Sequence, residues 1–241
     1  KQVYQDIREK HPSLKFLLAT YFEGLHDNTD LAVSLPADAL HLDLVRVPGQ
    51  LKEVLDKSPK AQQISLGVVD GRNIWKNDFN HSLELVKQAR QKKGNDQLMI
   101  APSSSLLHTP YDLDLEDDEK SLPGEIKNWL AFARQKLHEV KTLGLLSSDD
   151  TYQQAKDELE KNQQAIKSRR NSELIHKSSV QKRMNEVTPE MTRRDKPFSE
   201  RSQEQIKELN LPEYPTTTIG SFPQTQEVRQ LRRKFKRGEI D

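Results

Sequence analysis

The chain has 241 residues, with 38 basic and 37 acidic side chains and a net charge of +1. That balance argues against a DNA-wrapping protein or a polyacidic tail, and no stretch approaches the roughly 18 apolar residues of a membrane span. The chain holds no cysteine, which excludes a disulfide scaffold, a Cys nucleophile and any Cys-ligated zinc or iron–sulfur site within it.

Lys1 opens the chain without Met or a signal-peptide pattern, and the expectation is an internal piece of a longer protein. Residues 1–10 read as a helix. Four short apolar runs follow that suit strands covered on both faces: Leu14–Thr20, Leu40–Val45, Ile64–Val69 and Leu98–Ala101. The spacing between their starts leaves room for a helix and is too long for hairpins. Gly49–Lys57 and Asn80–Lys93 carry helical apolar spacing, and Gly94 stands where a C-cap belongs. A further helix is expected over Gly124–Leu143, with Ile126, Trp129, Leu130, Ala133, Leu137 and Val140 on it. Helix and strand in alternation predict a parallel α/β sheet. Four strands by residue 145 make either a small open sheet or the second half of a (βα)8 barrel.

Beyond Gly144 the chain turns polar and helical. Tyr152, Ala155, Leu159 and Ile166 form one stripe of a helix reaching about Arg170, read as a surface or interdomain packing face. Shorter helices are expected around Val180–Val187 and Ser199–Leu209, and Pro212 and Pro215 end a linker. Thr216–Thr225, β-branched and broken by Gly220, reads as a strand ending in a tight turn. A basic helix over Glu227–Lys236 closes the chain.

In a barrel the chemistry lies at the C-terminal strand ends. Here these ends offer Thr20, Tyr21 and Glu23; Asp43 and Arg46; Asp70, Arg72 and Asn73; and Ser103, Ser104, Ser105 and His108. The seven histidines show no HxH, HExxH or HxxxH spacing, and a metal site needs a ligand set rather than a lone His. Glycine-rich phosphate loops and a GxSxG elbow are both absent. At Ile219-Gly220-Ser221 a residue without a side chain lets a ligand approach the backbone. The helix after it would turn its positive end there, an arrangement suited to a carboxylate; an ordinary tight turn is the alternative.

Pro215-Thr-Thr-Thr-Ile-Gly-Ser-Phe-Pro-Gln-Thr225 resembles the start of the C-terminal barrel of the cobalamin-independent methionine synthases, the methyltetrahydropteroyltriglutamate–homocysteine methyltransferases. Leu18-Ala-Thr-Tyr-Phe22, Asp70-Gly-Arg-Asn-Ile-Trp75, Ala101-Pro-Ser-Ser-Ser-Leu-Leu-His108 and Trp129-x-Ala-Phe-Ala133 resemble the later part of that family's N-terminal barrel.

The resemblance implies an α/β fold. Residues 1–145 would be the second half of a (βα)8 TIM-type barrel, 146–212 a helical interbarrel linker, and 213–241 the first strand of a second, catalytic barrel. It implies a cytoplasmic enzyme that moves the N5-methyl group of 5-methyltetrahydropteroyltri-L-glutamate to L-homocysteine without cobalamin. Zinc in the complete chain would activate the thiolate, held by ligands outside these residues. No catalytic or metal-binding residue is then expected here. Ile219, Gly220 and Ser221 would contact homocysteine or methionine, and the other partner would be the remainder of the same polypeptide. Matching the two barrels strand by strand sets Thr20-x-Phe22, Asp43 and Ser104 at the positions of the metal ligands. Thr, Phe and Ser make a poor zinc site, so this barrel would be a chemically silent copy.

Two other readings compete with it. One is a non-enzymatic α/β module that binds folate polyglutamate or a protein. The other is a nucleic-acid contact through the basic residues of 229–237, which the neutral overall charge and scarce aromatics weigh against.

Overall fold

Alternate positions of the central strands are apolar, and this decides which way the sheet faces. The computed structural model of the protein describes residues 1–218 and 220–240. It divides into two compact units at Lys177/Ser178.

In the first unit the order is α1 (Gln2–Lys10), β1 (Leu17–Ala19), α2 (Thr29–Val33), β2 (Ala39–Asp43), α3 (Gln50–Lys57), β3 (Gln63–Val69), α4 (Phe79–Lys93) and β4 (Leu98–Pro102). Then come α5 (Gly124–Lys127), α6 (Ala133–Leu146) and α7 (Lys156–Asn171). The strands form one parallel sheet in the order β1-β2-β3-β4. Leu40 pairs with Ile64 and Leu42 with Leu66. These four side chains are fully buried among Leu51 and Val54 of α3, Val86 and Ala89 of α4, and Leu143 of α6. Side chains alternate across a strand, so Ala39, His41 and Asp43 share the opposite face with Ser65 and Gly67. That face is polar and small.

His41 ties three strands together there. Its Nδ1 lies 2.8 Å from Ser65 Oγ and its Nε2 lies 3.2 Å from the Ser103 carbonyl. A carbonyl only accepts, so Nε2 carries the proton and Nδ1 accepts from the serine hydroxyl. Burial lowers the His41 pKa and keeps the ring neutral. Gly67 gives this arrangement its space. A Cβ there would lie 2.5 Å from the Leu42 carbonyl oxygen and 2.9 Å from Ser103 Cα.

α1 buries no residue and is held by Arg8. Its guanidinium reaches Asp38 at 2.7 Å and lies 4.4 Å from the centre of the Phe16 ring. Arg8 and the Phe16 amide hold the Asp38 carboxyl down at about 2. α4 starts on the Asp78 side chain and ends at Gly94 with φ of +77°, the C-cap the sequence predicts.

The expected helix over Gly124–Leu143 is broken. α5 stops at Lys127, and Trp129–Phe132 are buried without helical structure. Four successive apolar residues cannot share one face of a helix. Here they run beside the β3–α4 loop instead: the Lys76 amide donates to the Trp129 carbonyl and the Ala131 amide to the Ile74 carbonyl.

That loop, between β3 and α4, is clamped from outside. Asn77 N–H donates to Glu139 Oε1 at 2.9 Å, and Lys136 Nζ donates to Trp75 O at 3.0 Å and Asn73 Oδ1 at 3.2 Å. From α7, Asn162 exchanges hydrogen bonds with the Asn77 carbonyl and Phe79 amide, while Arg169 stacks 3.7 Å from the Trp75 ring centre. Lys136 is fully buried, and burial lowers its pKa. Burial raises Glu139 to about 7, against the pull of Lys136.

The second unit holds α8 (Ser178–Asn185), α9 (Phe198–Leu209) and α10 (Gln226–Lys236). Among its described residues none is buried. The strand expected over Thr216–Thr225 is absent among the described residues. A strand exists by pairing, and the described residues of this unit offer no ladder.

Two outcomes follow for the 241-residue chain. Gly67→Ala should cost about 3 kcal/mol in urea unfolding, because two of the three obstructing atoms are backbone and the third belongs to the buried His41 ring. Glu139 retains a proton in the native state between its ordinary value near 4.5 and about 7, where the unfolded chain has released it. Native stability therefore falls as pH rises through that window, by up to about 3 kcal/mol. Urea midpoints measured from pH 5 to 8 should show this decline, and Glu139→Gln should remove it.

Candidate functional site

Parallel strands deliver their C-terminal ends, and the loops after them, to one edge of the sheet, where such folds hold their ligands. Asp43 ends β2 at that edge and is 2% exposed. Its Oδ2 accepts the Phe22 N–H at 3.0 Å, and its Oδ1 accepts those of Val45 at 3.1 Å and Arg46 at 3.0 Å. Both oxygens thus serve to fix the loops after β1 and β2.

The first bond holds Phe22 at φ of +73°, a region an aromatic residue rarely occupies. The Phe22 ring then meets three side chains. Arg72 lies 4.5 Å from its centre, Tyr21 4.8 Å and His108 5.4 Å. The loops after β1, β3 and β4 converge on this ring. A cation over an aromatic face gains about 0.5–1 kcal/mol at an exposed site.

The remaining strand-end residues are used locally. Thr20 Oγ1 donates to the His41 carbonyl at 2.6 Å. Asp70 accepts the Arg72 amide and the Asn73 side chain, each at 2.7 Å. Ser103 Oγ accepts the Gly71 N–H, and Ser105 caps its own turn. Ser104 Oγ is buried without a hydrogen-bond partner. Glu23 lies 3.5 Å from His26 and faces solvent. Tyr21, Arg72 and His108 therefore come together, while Glu23 and Ser105 do not join them.

Sequence reasoning on polar strand ends passed over Phe22 as part of this cluster, because nothing in residue type marks a strained aromatic. It also missed Lys136, Glu139 and Asn162, which set the β3–α4 loop. Lys136 and Glu139 stand three apart on the buried face of α6, and Asn162 stands between Leu159 and Ala165 on that of α7.

Thr20, Phe22, Asp43 and Ser104 do not fit a zinc ion. Thr20 and Asp43 spend their oxygens on the backbone, Phe22 has no donor atom, and a Ser hydroxyl is a weak ligand. Among the described residues no group of three His, Cys, Asp or Glu side chains is placed to hold a metal.

Of Ile219, Gly220 and Ser221, Ile219 lies outside the described residues. Gly220 has φ of +80°, which favours glycine, and Ser221 is exposed. The helix after them starts at Gln226, where Thr225 accepts the Val228 N–H.

Asp43→Asn retains one accepting oxygen where the carboxylate has two. Hydrogen exchange should show the Phe22 amide losing protection, with an overall loss of about 2 kcal/mol on unfolding.

Residues 1–94 match the family described as cobalamin-independent synthase, N-terminal domain, and residues 214–241 match the one described as cobalamin-independent synthase, catalytic domain. The 5-methyltetrahydropteroyltriglutamate–homocysteine methyltransferase of Flavobacterium johnsoniae is 48% identical over 241 residues, which cover 99% of this chain and 31% of that protein. The protein of the same name from Cytophaga hutchinsonii is 50% identical over 239 residues, 98% of this chain and 31% of its own length. That of Coxiella burnetii is 47% identical over 231 residues, 95% of this chain and 29% of its own. The chain thus spans about a third of the length of the curated relatives it matches. An N-terminal-domain match followed by a catalytic-domain match, with near-half identity running through both and the residues between, identifies the chain as a member of the cobalamin-independent methionine synthase family.

Proposed function

We propose that this chain is part of a cytoplasmic methyltransferase that transfers the N5-methyl group of 5-methyltetrahydropteroyltriglutamate to homocysteine and yields methionine. The observation that carries this is identity near one half, along almost the whole chain, to proteins named for that reaction. Cobalamin has no part in it, in keeping with the family's description.

Residues 1–145 act as half of a (βα)8 barrel. Several features support this reading. The strand order β1-β2-β3-β4 never reverses, as it would in a doubly wound open sheet. Right-handed crossovers then carry the connecting helices to one face. The other face bears Ala39, His41, Ser65 and Gly67, small or hydrogen-bonded residues of the kind a barrel interior can pack. A cavity of about 490 Å³ opens beside that sheet at its N-terminal end, between Leu17, Ala39, Gln63 and Met99. Residues 146–212 serve as the helical link, and 213–241 begin the catalytic barrel. The catalytic-domain match over 214–241 agrees with that division.

Gly220 and Ser221, with Ile219, hold the amino-acid end of homocysteine. Gly220 has left-handed backbone, and beyond its chain neighbours no described atom lies within 4 Å of where a Cβ would stand, which leaves room for a ligand. The zinc that the family resemblance implies has no fitting ligands in these residues, and the strand-end side chains contribute support to the loops rather than to the metal.

Steady-state assay of the protein encoded by the complete reading frame, with homocysteine and the methylated triglutamate folate, tests the activity. Ser221→Ala should raise the homocysteine KM about tenfold with a smaller effect on kcat, the loss of one hydrogen bond to a charged group. The 241 residues assayed alone should give no turnover. Turnover by them would contradict the assignment of the metal site to other segments.

A further inference from the structure

A second polar cavity lies away from the strand ends, on the outer side of the first unit between the β3–α4 loop, α6 and α7. It measures about 290 Å³, and Phe79 and Ala131 supply its apolar wall. Lys76 and Lys161 supply two basic side chains and Glu139 and Glu158 two acidic ones, with His138 beside them.

These groups are unequally satisfied. Lys161 Nζ pairs with Glu158 at 2.9 Å, and His138 lies 3.9 Å from the same carboxylate. Among the described residues Lys76 Nζ donates once, to Asn128 Oδ1 at 3.0 Å, so two of its three donors are unused. Glu139 is 5% exposed. Its Oε1 takes the Asn77 N–H, while its Oε2 is buried with no hydrogen-bond partner. A buried unsatisfied oxygen is costly and calls for an explanation. Lys136, behind Glu139 on α6, is committed to Asn73 and Trp75 and does not supply the missing bond.

A free cation would meet Lys76 and Lys161 at once, and a free anion would meet Glu139 and Glu158. A molecule with both charges a few ångströms apart satisfies the wall without an excess of either. We propose that this cavity binds a zwitterionic α-amino acid with an apolar side chain. Its carboxylate is set toward Lys76, its ammonium toward Glu139 and Glu158, and its side chain against Phe79 and Ala131. The proposal does not depend on the methyl-transfer reading.

The proposal carries a pH signature. An ammonium beside Glu139 needs the ionised carboxylate, and burial holds that group protonated up to about 7. Lys76 and Lys136 oppose the burial, while His138, Glu158 and Lys161 surround the cavity from α6 and α7. Affinity should therefore rise as pH rises from 6 to 8.

Calorimetry on the 241-residue chain tests this, with L-methionine, butylamine and butyrate as probes. L-methionine should bind saturably, and each half-probe should bind at least about tenfold more weakly. Lys76→Met should weaken L-methionine about tenfold, and Glu139→Gln should weaken it and flatten the pH dependence. Unchanged circular dichroism in both variants separates these losses from unfolding. No saturable binding of L-methionine up to about 10 mM overturns the proposal. So does butylamine or butyrate binding as tightly, or an affinity indifferent to both substitutions.

Discussion

One imidazole ring links three neighbouring strands across the polar face of the sheet. His41 accepts from Ser65 on β3 and donates to Ser103 just beyond β4, so it bridges a distance that backbone pairing spans only strand by strand. Burial favours the neutral ring, and in that form one tautomer makes both bonds. It also needs Gly67 bare, because any side chain there would push β2 away from β4. The loops that gather at the sheet edge inherit their positions from this lock. Asp43, two residues along the same strand face, transmits it to Phe22, Val45 and Arg46.

The strands and most helices were legible because their signals are local and mutually consistent. Leu40, Leu42, Ile64 and Leu66 announce one buried face, and Gly94 announces a helix end. The failures share a cause in tertiary competition. Trp129–Phe132 has helical neighbours, yet its backbone is better satisfied by Ile74 and Lys76 far away in sequence. Thr216–Thr225 has strand composition, but composition cannot supply a partner strand. Leu14–Thr20 shortens to Leu17–Ala19 because β1 has only β2 beside it in the described sheet.

The candidate site divides in a similar way. Polar residues at strand ends could be named from the topology alone, and Tyr21, Arg72 and His108 do meet. Their meeting point, Phe22, is an apolar residue in a strained backbone conformation, imposed by a carboxylate twenty-one positions away. No residue-type pattern reveals that. The turn at Gly220 was legible because glycine has few reasons to interrupt a β-branched run.

The loop between β3 and α4 has a history built into it. Its closing bonds come from Lys136 and Glu139, more than sixty residues downstream, and from Asn162, whose bond to Asn77 spans 85 residues. Contacts that distant form late, since the chain between must first be confined. During synthesis, then, the nascent sheet emerges from the ribosome with this loop still loose. The sheet edge acquires its final shape only once α7 has left the exit tunnel and settled.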